Sequence, residues 1–150
     1  VRIDANAQET LLLETAALRD ALTDADAQSN LDELSAAVAR GEVPETLAAP
    51  LERVLEIGLR TGRVRRLYGP HDEAALARVF HATPKGRALA AALGEVNAAL
   101  SALSGHPLER LSLQAKGPGA YTLTVETGAA TLTLELGAEG VAVKDVSVGA

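Results

Sequence analysis

Cysteine, methionine and tryptophan are all missing from these 150 residues, and the only aromatic side chains are Tyr68, Phe80 and Tyr121. Without cysteine there is no disulfide, no thiolate nucleophile and no sulfur-ligated zinc or iron–sulfur centre. So few aromatic faces argue against a stacking platform for single-stranded nucleic acid. They argue equally against an interface anchored on Trp or Tyr. No apolar run approaches the length of a membrane-spanning helix, and no basic-then-apolar signal opens the chain. No membrane partner is therefore expected, and the expected setting is the cytoplasm. The start at Val1, in a chain without methionine, fits a processed or trimmed form of something larger.

What is present is mostly Ala, Leu and Val, with eleven Arg against three Lys, a usage associated with GC-rich bacterial genomes. The net charge of −6 is unevenly spread. Val1 to Leu59 holds twelve acids and four bases, Arg60 to Ala90 seven bases and two acids, and Ala91 to Ala150 six acids and three bases. An acidic chain with one basic segment is not a general nucleic-acid binder by charge.

Apolar spacing predicts an α+β protein whose helical N-terminal two-thirds, about five helices, precede a four-stranded antiparallel meander. The first helix is expected over Ala7 to Leu22, with Leu11, Leu18 and Leu22 on its stripe and Glu14 and Arg19 off it. Ser29 reads as the cap of a second helix from about Asn30 to Arg40, stopped by Gly41. Pro50 suits the first residue of a third helix. That helix carries Leu51, Val54, Leu55 and Leu59 on its stripe and either continues to Tyr68 or frays at Thr61-Gly62. Gly58 and Gly62 offer a small face for close approach of a neighbour. Gly69-Pro70 and Thr83-Pro84 open two more helices. The last, to about Ser104, has the cleanest stripe: Leu89, Leu93, Val96, Leu100 and Leu103.

From Leu108 to Val148 the period changes to strict alternation, punctuated by glycine turns at Gly117-Pro118-Gly119, Gly128 and Gly137 to Gly140. Val141 and Val143 differ in parity from Val146 and Val148, so a one-residue bulge at Lys144-Asp145 is expected to return all four to one face. The apolar face, including Leu113, Leu123, Val125, Leu132, Leu134 and Val143, is expected to pack on the Leu89 to Leu103 stripe. The opposite face, with Ser112, Gln114, Thr122, Thr124, Glu126, Thr131, Thr133 and Glu135, reads as solvated. The Gly41 to Pro50 stretch is the expected boundary between an acidic helical arm, residues 1–43, and a compact α+β core, residues 44–150.

Chemistry-bearing patterns are sparse. Asp24, Asp26, Asn30 and Asp32 fail the EF-hand pattern, because Ser29 and Ser35 stand where glycine and the bidentate glutamate belong. His71, His81 and His106 lack metal-ligand spacing, and no nucleophile-elbow sequence occurs. Gly117-Pro118-Gly119 leads into a strand, so it is a hairpin rather than a phosphate loop. No metal, cofactor or catalytic residue is indicated.

The candidate partner- or anion-binding group is therefore Arg60, Arg63, Arg65, Arg66, Lys85 and Arg87, with Arg78 between. Guanidiniums bind phosphate bidentately. Lys85 and Arg87 lie in the first turn of a helix, where cations oppose the dipole and call for an anion nearby. That anion is either a ligand or a carboxylate of the same chain, with pairing inside the chain the favoured reading. The expectation that follows is a non-catalytic protein-interaction or assembly module, self-association included, with a protein or a second copy as partner. The alternatives are anion or nucleic-acid binding through Arg60 to Arg87, and a small enzyme or ligand pocket between sheet and helix.

Overall fold

The computed structural model describes residues 1–148; residues 149 and 150, the end of the expected core range, lie outside it. Six α-helices precede one sheet: α1 (Ala5–Ala21), α2 (Ala25–Ala39), α3 (Ala48–Arg60), α4 (Arg63–Tyr68), α5 (Pro70–Ala82) and α6 (Pro84–Ala102). A 3-10 turn, Glu45–Leu47, leads into α3. The strands are β1 (Leu108–Gly117), β2 (Ala120–Thr127), β3 (Ala130–Gly137) and β4 (Gly140–Val148), in sheet order β1-β2-β3-β4, all neighbours antiparallel. This is the expected α+β fold. The chain divides into two compact units, Val1–Arg87 and Ala88–Ala150, and the division falls within α6. The Gly41 to Pro50 stretch lies inside the first unit.

In the first unit the helix ends follow local chemistry. The Asp4 carboxylate accepts the Ala7 N–H at 2.9 Å and starts α1. Asp24 does the same for Ala27 at 2.7 Å, so α2 begins before Ser29. Aspartate and serine are equally good caps, and the earlier one captures the additional turn. Pro50 is the third residue of α3, not its first, because the 3-10 turn starts the coil earlier. The break at Thr61-Gly62 is real: Gly62 takes φ +65 and α4 starts anew after it. Gly41, at φ +79, ends α2, and its carbonyl accepts the Ile3 N–H at 2.9 Å. Val43 N–H donates to the Val1 carbonyl, so residues 1–3 and 41–43 form a short antiparallel clamp.

One continuous core fills this unit. Ile3, Ala7, Leu11, Leu31, Leu34 and Val38 share it with Leu51, Val54, Leu55, Val64, Leu76 and Val79. Residues of the 1–43 range thus bury their apolar faces among residues of the following helices. Burying side chains of this size contributes roughly 1.5–3 kcal/mol each before entropy is subtracted.

Two glycines permit the close approaches. A Cβ on Gly58 would stand 2.8 Å from Val64 Cγ2 and 3.4 Å from Glu14 Oε2. A Cβ on Gly86 would stand 1.9 Å from the Phe80 carbonyl oxygen, so the α5–α6 corner admits only glycine there. The same corner is capped by Thr83, whose hydroxyl oxygen accepts the Gly86 N–H at 3.1 Å.

The second unit has a smaller core, in which Val96 of α6 and Leu103, just beyond its end, pack with Leu132 and Leu134, flanked by Leu123, Val125, Val141 and Val143. The bulge appears where alternation places it. Thr133 pairs with Asp145 and Leu134 with Val143, leaving Lys144 as the additional residue. Val141, Val143, Val146 and Val148 accordingly oppose Leu136, Leu134, Leu132 and Ala130. Gly140 takes φ +118 in the β3–β4 turn, beside the Leu89 side chain.

Candidate functional site

The helical unit answers most of its basic side chains from within. Arg63 Nε donates to both carboxylate oxygens of Glu14, at 3.0 and 3.1 Å. Arg65 meets Glu73 at 3.4 Å and Arg78 meets Asp4 at 3.6 Å. Arg66 donates to the Thr61 carbonyl at 3.5 Å, and Arg87 to the Ala82 carbonyl at 2.6 Å. Arg60 is exposed and lines a shallow groove with Arg53, Glu56, Ile57 and Thr61. The six residues are therefore distributed over α3, α4 and the start of α6, most of them engaged with groups of their own unit.

The first turn of α6 shows why cations are tolerated at a helix N-terminus. Glu52 of α3 accepts the Lys85 backbone N–H at 2.7 Å, and Glu56, one turn on, pairs with Lys85 Nζ at 2.6 Å. Two carboxylates thus supply the negative charge that the helix dipole and the lysine both require.

Glu14 is the polar centre of this unit. Its residue is 5 % exposed, and besides Arg63 it accepts the Tyr68 hydroxyl at 3.0 Å. Burial, followed by the hydrogen bond to Glu14, pushes the Tyr68 phenol above its ordinary value. The hydrogen bond to Glu14, with its charge, raises Arg63. The placement of Glu14 off the α1 stripe is corrected here. It stands three residues after Leu11 and four before Leu18, which is the stripe spacing itself, and that spacing is the signal for its burial. The arrangement locks α4 to α1: the carboxylate has donors on both oxygens, a satisfied network with no open position.

The sheet unit contrasts with this. On its apolar face Leu132 and Leu134 are covered, while Leu111 and Leu113 of β1 are 60 % and 63 % exposed. The expected burial of Leu113 is thus overturned. The core under α6 is built from β2, β3 and β4 and does not reach β1. Leu108, Tyr121, Val146 and Val148 are exposed as well, and so are Leu93 and Leu100 on the α6 stripe. The alternation of β1 identified its apolar face but carried no signal of how far a single helix extends across the sheet.

On the opposite face Thr122 is a second correction. It was expected among solvated residues, yet it is buried, and its hydroxyl has no hydrogen-bond partner.

Among the described residues no group of three or more His, Asp or Glu is placed to hold a metal ion. No helix among them is long and apolar enough to cross a membrane. No protein-family model, curated protein or solved structure matches the chain.

Proposed function

We propose that the protein is a non-catalytic assembly module that self-associates through the apolar face of its sheet. The observation that carries this reading is the uncovered half of that face. Leu111 and Leu113 sit in sequence-perfect alternation on an edge strand, yet both stand in water. Contiguous exposed apolar side chains of this kind mark interaction surfaces.

A second copy is the occupant because one chain displays both parts of a complementary contact. The sheet lacks cover over β1, and α6 presents surplus apolar surface at Leu93 and Leu100. A two-fold dimer places such a surface against itself, with each helix covering what the other sheet lacks. The β1 edge, free of a neighbour on one side, adds unpaired backbone groups to the same region.

The basic segment supports this choice over an anion- or nucleic-acid-binding role. Arg63, Arg65, Lys85 and their neighbours already engage carboxylates or carbonyls of their own chain, and a ligand would have to displace these.

Sedimentation velocity over a concentration series tests the reading. Wild type is expected to shift to a dimer as concentration rises, with little sensitivity to salt because the contact is apolar. Leu111→Glu with Leu113→Glu is expected to remain monomeric with an unchanged far-UV spectrum. A wild-type monomer throughout the series, or a dimer untouched by the double substitution, contradicts the proposal.

A further inference from the structure

The helical unit has an open surface of its own, a groove between α1 and α3. One hollow in it, of about 190 Å³, is walled by Ala17, Leu18 and Ala21 of α1 against Val54 and Ile57 of α3. A second, of about 230 Å³, lies between Leu18, Leu22 and Leu31 on one side and Ala49, Pro50 and Arg53 on the other. Leu18 belongs to both, so the two hollows are continuous. Apolar surface here reaches solvent: Leu18 and Leu22 are half-buried and Ile57 is 39 % exposed.

The α3 side of the groove is basic. Arg53 and Ile57 also line the shallow groove that holds Arg60. The three form one crest along α3, at i, i+4 and i+7. Arg53 and Arg60 are exposed, and among the described residues neither has an ion-pair or hydrogen-bond partner. The acids that share these hollows are already engaged, Glu14 by Arg63 and Glu56 by Lys85. Two unanswered guanidiniums beside an apolar trough are conspicuous in a chain of net charge −6.

Shape and charge together specify the occupant. Leu18 and Leu22 stand one turn apart, about 6 Å along the helix axis. Hollows at that spacing accept apolar side chains at i and i+4 of a docking helix. Arg53 and Arg60 are about 10.5 Å apart on α3, placed to meet carboxylates along one flank of such a helix. We propose that the α1–α3 groove docks an acidic amphipathic helix of a partner protein, its two apolar anchors in the hollows and its acids against Arg53 and Arg60. The trough supplies affinity and the basic crest selects the partner and its orientation. The helices of a second copy fit poorly. Acidic α2 buries Leu31, Leu34 and Val38 in its own core, and α1 exposes Leu13 alone among its leucines. The α6 helix exposes Leu93 and Leu100 but carries one acid, Glu95. This surface lies within the helical unit and stands independently of self-association through the sheet.

The test is fluorescence anisotropy of labelled, designed helical peptides titrated with the full chain. The panel varies two anchors, four residues apart, among Leu, Ile, Met and Phe, with glutamates along one flank. Control peptides carry lysine in place of glutamate, or serine in place of the anchors. Saturable binding is expected from acidic, apolar peptides and from neither control, and it weakens as salt is raised. NMR of the same complex is expected to move the Ala17, Leu18 and Ile57 amides. Arg53→Glu with Arg60→Glu, at exposed positions without partners, is expected to weaken binding about tenfold and to admit the lysine peptides. Ile57→Glu is expected to abolish binding with an unchanged far-UV spectrum, whereas Leu111→Glu with Leu113→Glu binds as wild type does. No binding by any acidic peptide, equal binding of the lysine peptides to wild type, or affinity untouched by the arginine substitutions overturns the assignment. Self-association that is lost in Ile57→Glu and retained in Leu111→Glu with Leu113→Glu makes a second copy the occupant, and overturns it equally.

Discussion

The helical unit and the sheet unit of this protein solve the burial problem to different degrees. Residues 1–87 enclose a core drawn from α1 to α5, and their buried acid, Glu14, is met by two donors. Residues 88–148 enclose four buried apolar side chains, two from the helix and its end and two from β3, and leave leucines and valines of the outer strands in water. The chain has enough apolar residues in both. What differs is the number of elements available to cover them. Five helices surround one another, whereas a four-stranded sheet is wider than one helix. The difference teaches where to look for a partner: at the surface that the chain builds regularly and does not cover.

Substitutions break the comparison in a graded way. The largest effects belong to the helical unit. Gly86→Ala drives a methyl group into the Phe80 carbonyl, and overpacking of this kind costs about 3 kcal/mol. Leu34→Ala or Leu51→Ala, at fully buried positions, is expected to cost about 2–5 kcal/mol. Urea denaturation followed by far-UV circular dichroism measures both. The same change in the sheet unit, Leu113→Ala, is expected to cost under about 0.5 kcal/mol in the monomer, because the side chain already faces water. A loss at Leu113 as large as that at Leu34 would erase the contrast.

Intermediate effects come from the Glu14 network. Glu14→Gln keeps the shape and removes the charge, and is expected to cost about 1–3 kcal/mol. Tyr68 adds a pH signature. Its folded-state value is raised above the ordinary 10.0, so the stabilisation is complete below that pH and declines as pH rises through it. Tyr68→Phe is expected to abolish this alkaline decline in the melting temperature. A decline that persists in the variant would assign it to another group.

Much of the fold is written in the local pattern. The meander, its glycine turns and the bulge at Lys144 follow from parity and turn chemistry, because a strand has period two and a slip exposes every valine at once. Helix starts were less legible: Asp24 and Ser29 are equally good caps five residues apart, and Asp24, which accepts the Ala27 N–H, captures the additional turn. Glu14 hid in plain spacing, since an acid on an apolar stripe reads as a surface residue until Arg63 and Tyr68 arrive from far along the chain. The exposure of Leu111 and Leu113 was illegible for another reason. Alternation tells which face is apolar; it does not tell how many strands one helix can cover. Thr122 is similar: it stands at a polar-parity position of β2 between its register partners Gln114 and Glu135, and parity carries no signal of its burial.

The most direct measurement is hydrogen–deuterium exchange of the full chain at low and high protein concentration. Protection is expected to rise with concentration in β1 and along Leu93 to Leu100 of α6, while α1 to α5 exchange identically at both. Equal exchange in β1 at the two concentrations, or a concentration-dependent gain confined to the helical unit, would contradict a partner surface on the sheet.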